Sequence, residues 1–242
     1  MDDIALHADF APRGLQPLDL GPSDLHVWAV PLTGEPDSGP GVLSPAELQR
    51  VDRFRFVDHR RRFQIGHSAL RRILACYLGV DPRAIEFTQG ARGKPYLASA
   101  GPYFNLSHSG KLALIAVSRS EVGVDLEKVR RLDSLTEIAR RHFAAPEFAT
   151  LESLQGAERE LAFYRCWTRK EAYIKALGEG LSLSLDSFEV GLGADPEFVA
   201  CHDGRENPAQ WSLLDVSPGP DFVAAAALRG RGLRLQTFAL RV

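Results

Sequence analysis

Trp167-Thr168-Arg169-Lys170-Glu171-Ala172-Tyr173-Ile174-Lys175 lies within a helical pattern from Glu158 to Leu177 that Gly178 closes. Glu171 and Lys175 are four residues apart and share one face of that helix. Trp167 and Ile174 add apolar bulk to the same face. A carboxylate beside such bulk suits a cleft, where Glu171 can lend an oxygen to a metal or accept a proton. Lys175 can then meet a phosphate as a point charge. Taken alone, the pair equally fits a surface contact worth about 0.3–0.5 kcal/mol. Lys170 points about 100° away from Glu171 around the helix and is expected in solvent.

Working outward, Val122-Gly123-Val124-Asp125-Leu126-Glu127 reads as a strand. A period of two sends Asp125 and Glu127 to one face and Val124 and Leu126 to the other. Two carboxylates on one face repel unless a cation or a basic group lies between them. Carboxylate oxygens completed by substrate phosphates are what Mg²⁺ prefers. An isolated pair of this kind more often marks solvated acids at a strand end, one of them paired to Lys128 or Arg130.

Phe104-Asn105-Leu106-Ser107-His108-Ser109-Gly110 crowds polar groups at a strand end. These can hold a phosphate or a nucleotide edge, or they mark a strand running into a turn. Gly90-Ala91-Arg92-Gly93-Lys94-Pro95 lacks the spacing of a phosphate loop and reads as a hairpin connection. Lys94 and Arg92 can reach an anion from it. Arg50, Arg53, Arg60, Arg61, Arg62, Arg71 and Arg72 fall on two helices of the first half. Two or three of them on one face would bind a phosphate, and the pattern leaves open which.

The chain of 242 residues divides into two runs of similar order. The first has an extended arm over residues 1–24, a strand at Leu25–Leu32 and a loop at Thr33–Gly41. A helix starts at Ser44-Pro45-Ala46-Glu47, where Ser caps, Pro takes the first turn and Glu follows three after the cap. A longer helix covers Asp58–Leu78 and stops at Gly79, and strands follow at Ile85–Thr88, Tyr103–Ser107 and Leu112–Val117. The second run has a strand at Val122–Leu126 and helices at Leu135–Phe143 and Glu158–Leu177. Strands follow at Phe188–Gly191, Trp211–Asp215, Phe222–Leu228 and Leu233–Leu240, and residues 191–210 read as an irregular surface connection. The fold class is therefore α+β, with two packed halves of like order over 1–119 and 120–242 and a site expected at their junction.

Composition excludes several classes. Hydrophobic residues make up 45% and charged residues 25%, as in an ordinary globular chain. A net charge of −2 does not suit a nucleic-acid binder. Cys76, Cys166 and Cys201 form neither a metal spacing nor an even disulfide set, which fits a reducing compartment. The acidic start, Met1-Asp2-Asp3-Ile4, lacks the basic segment of a signal peptide. The apolar runs are too short to span a bilayer. A cytoplasmic location and no membrane partner are the expectations.

Together these landmarks resemble the phosphopantetheinyl transferases of the surfactin type, the longer, pseudo-dimeric branch of that family. The resemblance covers about Trp28 to Phe188. It rests on Gly93-Lys94-Pro95, Asn105-Leu106-Ser107-His108-Ser109, Gly123-Val124-Asp125-Leu126-Glu127 and the Trp167–Lys175 segment, in the family's order. It implies transfer of the phosphopantetheine arm of coenzyme A to a serine of an apo acyl or peptidyl carrier protein, with release of adenosine 3′,5′-bisphosphate. It also implies that the two halves are pseudo-symmetric, and it implies Mg²⁺, with Mn²⁺ as a substitute. By the same resemblance Asp125, Glu127 and Glu171 are the metal ligands, and Glu171, Lys175 and Asp125 are the catalytic set. Glu171 is also the base, acting directly or through water. Arg50, Arg62, Lys94, Ser107 and His108 join Asp125, Glu171 and Lys175 around coenzyme A. Glu47 departs from the family, falling where some relatives carry a basic residue. A monomer serving secondary metabolism is implied. The competing readings are a magnesium-dependent nucleotide phosphohydrolase built on the same acids and a non-catalytic carrier binder.

Overall fold

The computed structural model describes residues 4–34, 41–202, 204 and 206–240. Most of the loop expected at Thr33–Gly41 lies outside the described residues.

Four layers stack as helix, sheet, sheet and helix. The larger sheet has the strand order β1 (Ala11–Arg13), β12 (Arg234–Leu240), β2 (Asp24–Pro31), β6 (Leu112–Ser118), β5 (Tyr103–Ser109). The smaller has the order β10 (Trp211–Asp215), β11 (Phe222–Arg229), β7 (Val122–Lys128). Helix α2 (Val57–Leu78) covers the outer face of the larger sheet, where Leu70, Ile73 and Leu74 meet Trp28, Phe104 and Ile115. Helix α5 (Gly156–Leu177) covers the outer face of the smaller, where Ala172, Tyr173 and Ala176 meet Trp211, Ala225 and Ala227. Between the sheets, Leu112, Leu114 and Ala116 face Val124, Leu126, Ala224 and Ala226.

This layering explains the unbroken apolar runs. Strand β6 is buried on both faces, with Ala113, Ile115 and Val117 under α2 and the alternate residues between the sheets. The same division holds in β11. Strand β7 differs: Val124 and Leu126 enter the core between the sheets, while Gly123, Asp125 and Glu127 turn toward α5. At Gly123 a Cβ would lie 2.0 Å from Ala172 O and 2.4 Å from Ala176 N. Only glycine lets the helix backbone come that close.

Helix α1 (Pro45–Arg53) starts as read, with Ser44 and Glu47 forming a reciprocal capping box. Helices α2 and α5 both end on left-handed glycines, Gly79 and Gly178. Helix α3 spans Leu135–His142. Strand β3 (Phe87–Gln89) and β4 (Pro95–Leu97) form the hairpin around Gly93-Lys94. Three features go beyond the sequence reading. Helix α4 (Ala145–Ser153) follows α3, and strand β9 (Phe198–Cys201), inside the segment read as irregular, pairs with the expected strand β8 (Phe188–Val190). The extended arm contributes β1, which runs parallel to β12, and β12 in turn lies parallel to β2.

Lys170 corrects the expectation of solvent exposure. It is fully buried, 2.8 Å from Glu147 of α4, and its ammonium also donates to Leu185 O and Phe188 O at 2.7 and 2.5 Å. The ring of Phe188 packs against it. Its three donors thus have three acceptors. Glu147 accepts in addition from the main chain of Ala144 and Val190. Beside it, Arg169 donates to Gly191 O and Ala194 O. These two cations pin residues 185–194 and α4 to α5.

Removing one partner of such a buried pair strands the other. Lys170→Met should lower the unfolding free energy by about 3–5 kcal/mol, measured by urea denaturation. Adding Glu147→Gln to that variant should recover part of the loss, because the stranded charge is then gone.

Candidate active site

Strand β7 and helix α5 bring four side chains together where the two sheets meet. Lys175 Nζ lies 2.5 Å from Asp125 Oδ1 and 3.1 Å from Ser107 Oγ. Ser107 Oγ donates to Asp125 Oδ1 at 2.9 Å. Ser109 Oγ donates to Glu127 Oε2, also at 2.9 Å. Glu171, half-buried one turn before Lys175, completes the group.

The charges are unbalanced. Burial first, and then the Asp125 charge, push the Glu171 carboxyl above the usual carboxylate range, with Glu127 adding to the effect and Lys175 opposing it. Glu127 is raised mainly by burial, against the hydrogen bond from Ser109. Three carboxylates thus share one close ammonium.

The carboxylate oxygens of this set are the kind of donor a divalent cation takes. Asp125 Oδ2 is buried without a hydrogen-bond partner, an acceptor the protein leaves unused. Among the described residues no three acid, histidine or cysteine side chains are grouped so as to hold a metal ion. Lys175 instead lies against the other oxygen of Asp125.

His108 alternates with Ser107 and Ser109 along β5. Partial desolvation, followed by the charges of Lys175, Arg62, His67 and His59, holds its imidazole below the ordinary pKa. That electrostatic reach ties the acid cluster to α2. A cavity of about 780 Å³ opens beside α2, lined by Arg50, Phe63, His67, Phe87, Gly93 and Pro95 among others. Arg50 stacks over Phe63 with 5.0 Å to the ring centroid, and Phe63 stacks on His67. Aromatic faces and guanidinium groups in one concavity suit a base joined to phosphate.

Other basic groups are committed elsewhere. Arg71 is buried and donates to Glu47 at 2.7 Å and to Pro82 O and Ile85 O. Lys94 donates to Val122 O and Ala176 O, so it binds the start of β7 to the end of α5. Burial pulls its ammonium down to about 8. Glu47, where the family pattern led toward a base, is instead the acceptor for Ser44, His67 and Arg71. The capping box foretold only the first of these bonds. Asn105 and Ser109 read as turn formers, yet both bond to β7.

Comparison with known proteins gives a consistent picture. The model of the 4′-phosphopantetheinyl transferase superfamily matches residues 121–227, and that of the 4′-phosphopantetheinyl transferase N-terminal region matches residues 37–120. The chain is 41% identical over 225 residues to 4′-phosphopantetheinyl transferase HetI of Nostoc sp., covering 89% of this chain and 92% of that one. It is 33% identical to a 4′-phosphopantetheinyl transferase of Bacillus subtilis, over 78% of this chain and 88% of the relative. With 4′-phosphopantetheinyl transferase Sfp of Bacillus subtilis strain 168 the identity is 31%, over 76% and 82%.

The Glu47 network makes stability depend on acid. Burial opposes ionisation, but the bonds from His67 and Ser44 and the Arg71 charge together hold the carboxyl at about 2, below its ordinary 4.5. A depressed folded-state pKa stabilises above the unfolded value, and the gain is lost as pH falls from 4.5 toward 2. The shift corresponds to about 3 kcal/mol. Urea unfolding followed across that window should show the loss in the wild type and a flatter profile in Glu47→Gln.

Proposed function

The chain belongs to the 4′-phosphopantetheinyl transferase superfamily, and from that premise we propose that it transfers the phosphopantetheine arm of coenzyme A to a serine of an apo acyl or peptidyl carrier protein. The observation that carries this reading is the set of Glu171 and Lys175 on α5 against Asp125 and Glu127 on β7. The aromatic and cationic cavity is a separate concavity, lined by none of these four residues.

The nucleotide end of coenzyme A enters that cavity, with Arg50 at its wall and Arg62 beside His108 as partners for the 3′-phosphate. Lys94 borders it between the lining residues Gly93 and Pro95, while its ammonium stays on the two carbonyls. His108 faces the pyrophosphate, while Ser107 holds Asp125 and Lys175 in place.

The acceptor hydroxyl is a poor nucleophile at neutral pH. Glu171 takes its proton, directly or through a water. The serine oxygen bonds to the phosphorus that carries the pantetheine arm. The bond from that phosphorus to the nucleotide's bridging oxygen breaks, and its electron pair leaves on adenosine 3′,5′-bisphosphate. Lys175 offsets the negative charge that grows there. A Mg²⁺ ion, or Mn²⁺ in its place, held by Asp125, Glu127 and Glu171 would supply the rest of that neutralisation. Positioning two large reactants is the main task left to the protein.

We further read the halves 1–119 and 120–242 as the two walls of one site, which makes a monomer sufficient, and place the enzyme in the cytoplasm. Among the described residues no helix is long and apolar enough to cross a membrane. Carriers of secondary metabolism are the acceptors we favour.

Intact-mass measurement of a panel of apo carriers with coenzyme A and Mg²⁺ tests the reaction. A gain of one phosphopantetheine is expected; hydrolysis of coenzyme A without a carrier, or binding without mass gain, would refute it. Glu171→Gln should cut transfer at least about 100-fold while coenzyme A still binds in calorimetry. Full transfer by that variant would remove Glu171 as the base. Asp125→Ala should lose activity, and its residual rate should no longer respond to Mg²⁺; an unchanged Mg²⁺ titration rules it out as a ligand.

A further inference from the structure

Strands β5 and β7 lie at the free edges of two different sheets, and side chains take the place of a main-chain ladder between them. Val124 N donates to Asn105 Oδ1 at 2.9 Å, Leu126 N to Ser107 Oγ at 3.3 Å, and Lys128 N to Ser109 Oγ at 3.0 Å. Both strands advance by two residues per rung, so the edges run parallel in register. The pairing satisfies main-chain donors of β7 that would otherwise open a sheet edge.

Two of the three rungs also serve the acids. A serine hydroxyl has one proton and two acceptor lone pairs. In Ser109 a lone pair takes Lys128 N, and the proton goes to Glu127 Oε2. In Ser107 the lone pairs take Leu126 N and Lys175 Nζ, and the proton goes to Asp125 Oδ1. The main chain of β7 thus orients each hydroxyl toward the carboxylate of the preceding residue. Asn105 offers only an acceptor at its rung and has no carboxylate beside it.

We propose that Ser109 is a positioning residue, whose hydroxyl holds the Glu127 carboxylate in its cation-binding orientation while closing the seam between the two sheets. The first half of the chain therefore presets the metal-binding acids of the second. This inference rests on the reading of Asp125, Glu127 and Glu171 as metal ligands.

Mn²⁺ uptake, followed by electron paramagnetic resonance with coenzyme A present and no carrier, tests it without turnover. Partners that orient a ligand typically carry 10- to 100-fold in metal affinity, so Ser109→Ala should weaken Mn²⁺ binding by about tenfold or more. Ser109→Thr keeps the hydroxyl and should stay within about threefold of the wild type. Asn105→Ala removes a rung without touching an acid. It should lower the Tm as Ser109→Ala does, yet leave Mn²⁺ affinity within about twofold. Wild-type affinity in Ser109→Ala, or an equal loss in Asn105→Ala, would overturn the proposal, since the seam alone would then matter. If Asn105→Ala does not fold, the Ala and Thr variants of Ser109 decide the matter between themselves. A wild type that takes up no Mn²⁺ would instead refute the metal reading beneath it.

Discussion

The contact of helix α5 with strand β7 at Gly123 is the constraint on which the rest depends. No side chain separates the two backbones there, since a Cβ would overlap Ala172 O and Ala176 N. That approach sets Glu171 and Lys175 beside Asp125 at the next outward position of the strand. Lys94 reaches in from the β3–β4 hairpin and bonds to both elements at the same point. One missing methyl group and one buried ammonium thus fix the distance between the two halves of the acid–lysine cluster.

Three consecutive residues of α5 show how one helix divides its charges. Arg169 and Lys170 turn into the fold and bond to carbonyls and to Glu147, where every donor of the lysine is met. Glu171 turns to the junction, where carboxylates outnumber cations. The inward cations are held by Glu147 and by main-chain carbonyls, and they brace the scaffold. The outward acids are left short of positive charge. Asp125 Oδ2, buried and without a partner, is the clearest mark of this difference.

Local pattern made much of this legible. A period of two put Asp125 and Glu127 on one face, and the Ser44–Glu47 box and the stops at Gly79 and Gly178 located the helices. Lys170 was misread because spacing reports which face a residue takes, not whether a distant acid waits there. Its partner Glu147 lies on α4, a helix whose start has no serine, threonine or aspartate cap to announce it. Asn105 and Ser109 carry the composition of a turn, and only the meeting of two sheet edges reveals them as rungs. The placement of β12 was beyond reach for a related reason: a strand's own pattern does not name its neighbour.

Strand β12 has a further consequence for the order in which the molecule can form. It lies between β1 and β2, with Arg234 opposite Asp24 in register and an ion pair joining the same two residues. Until residues 234–240 have left the ribosome, β2 has no partner on that edge, and Trp28 lacks the ring of Phe238 that packs against it. The larger sheet therefore stays incomplete until residues 234–240 arrive, however early α2 forms. Such distant pairing slows folding and exposes an apolar strand edge meanwhile. The larger sheet would thus be closed by one of the contacts most distant in sequence, after α2, β5 and β6 have been made.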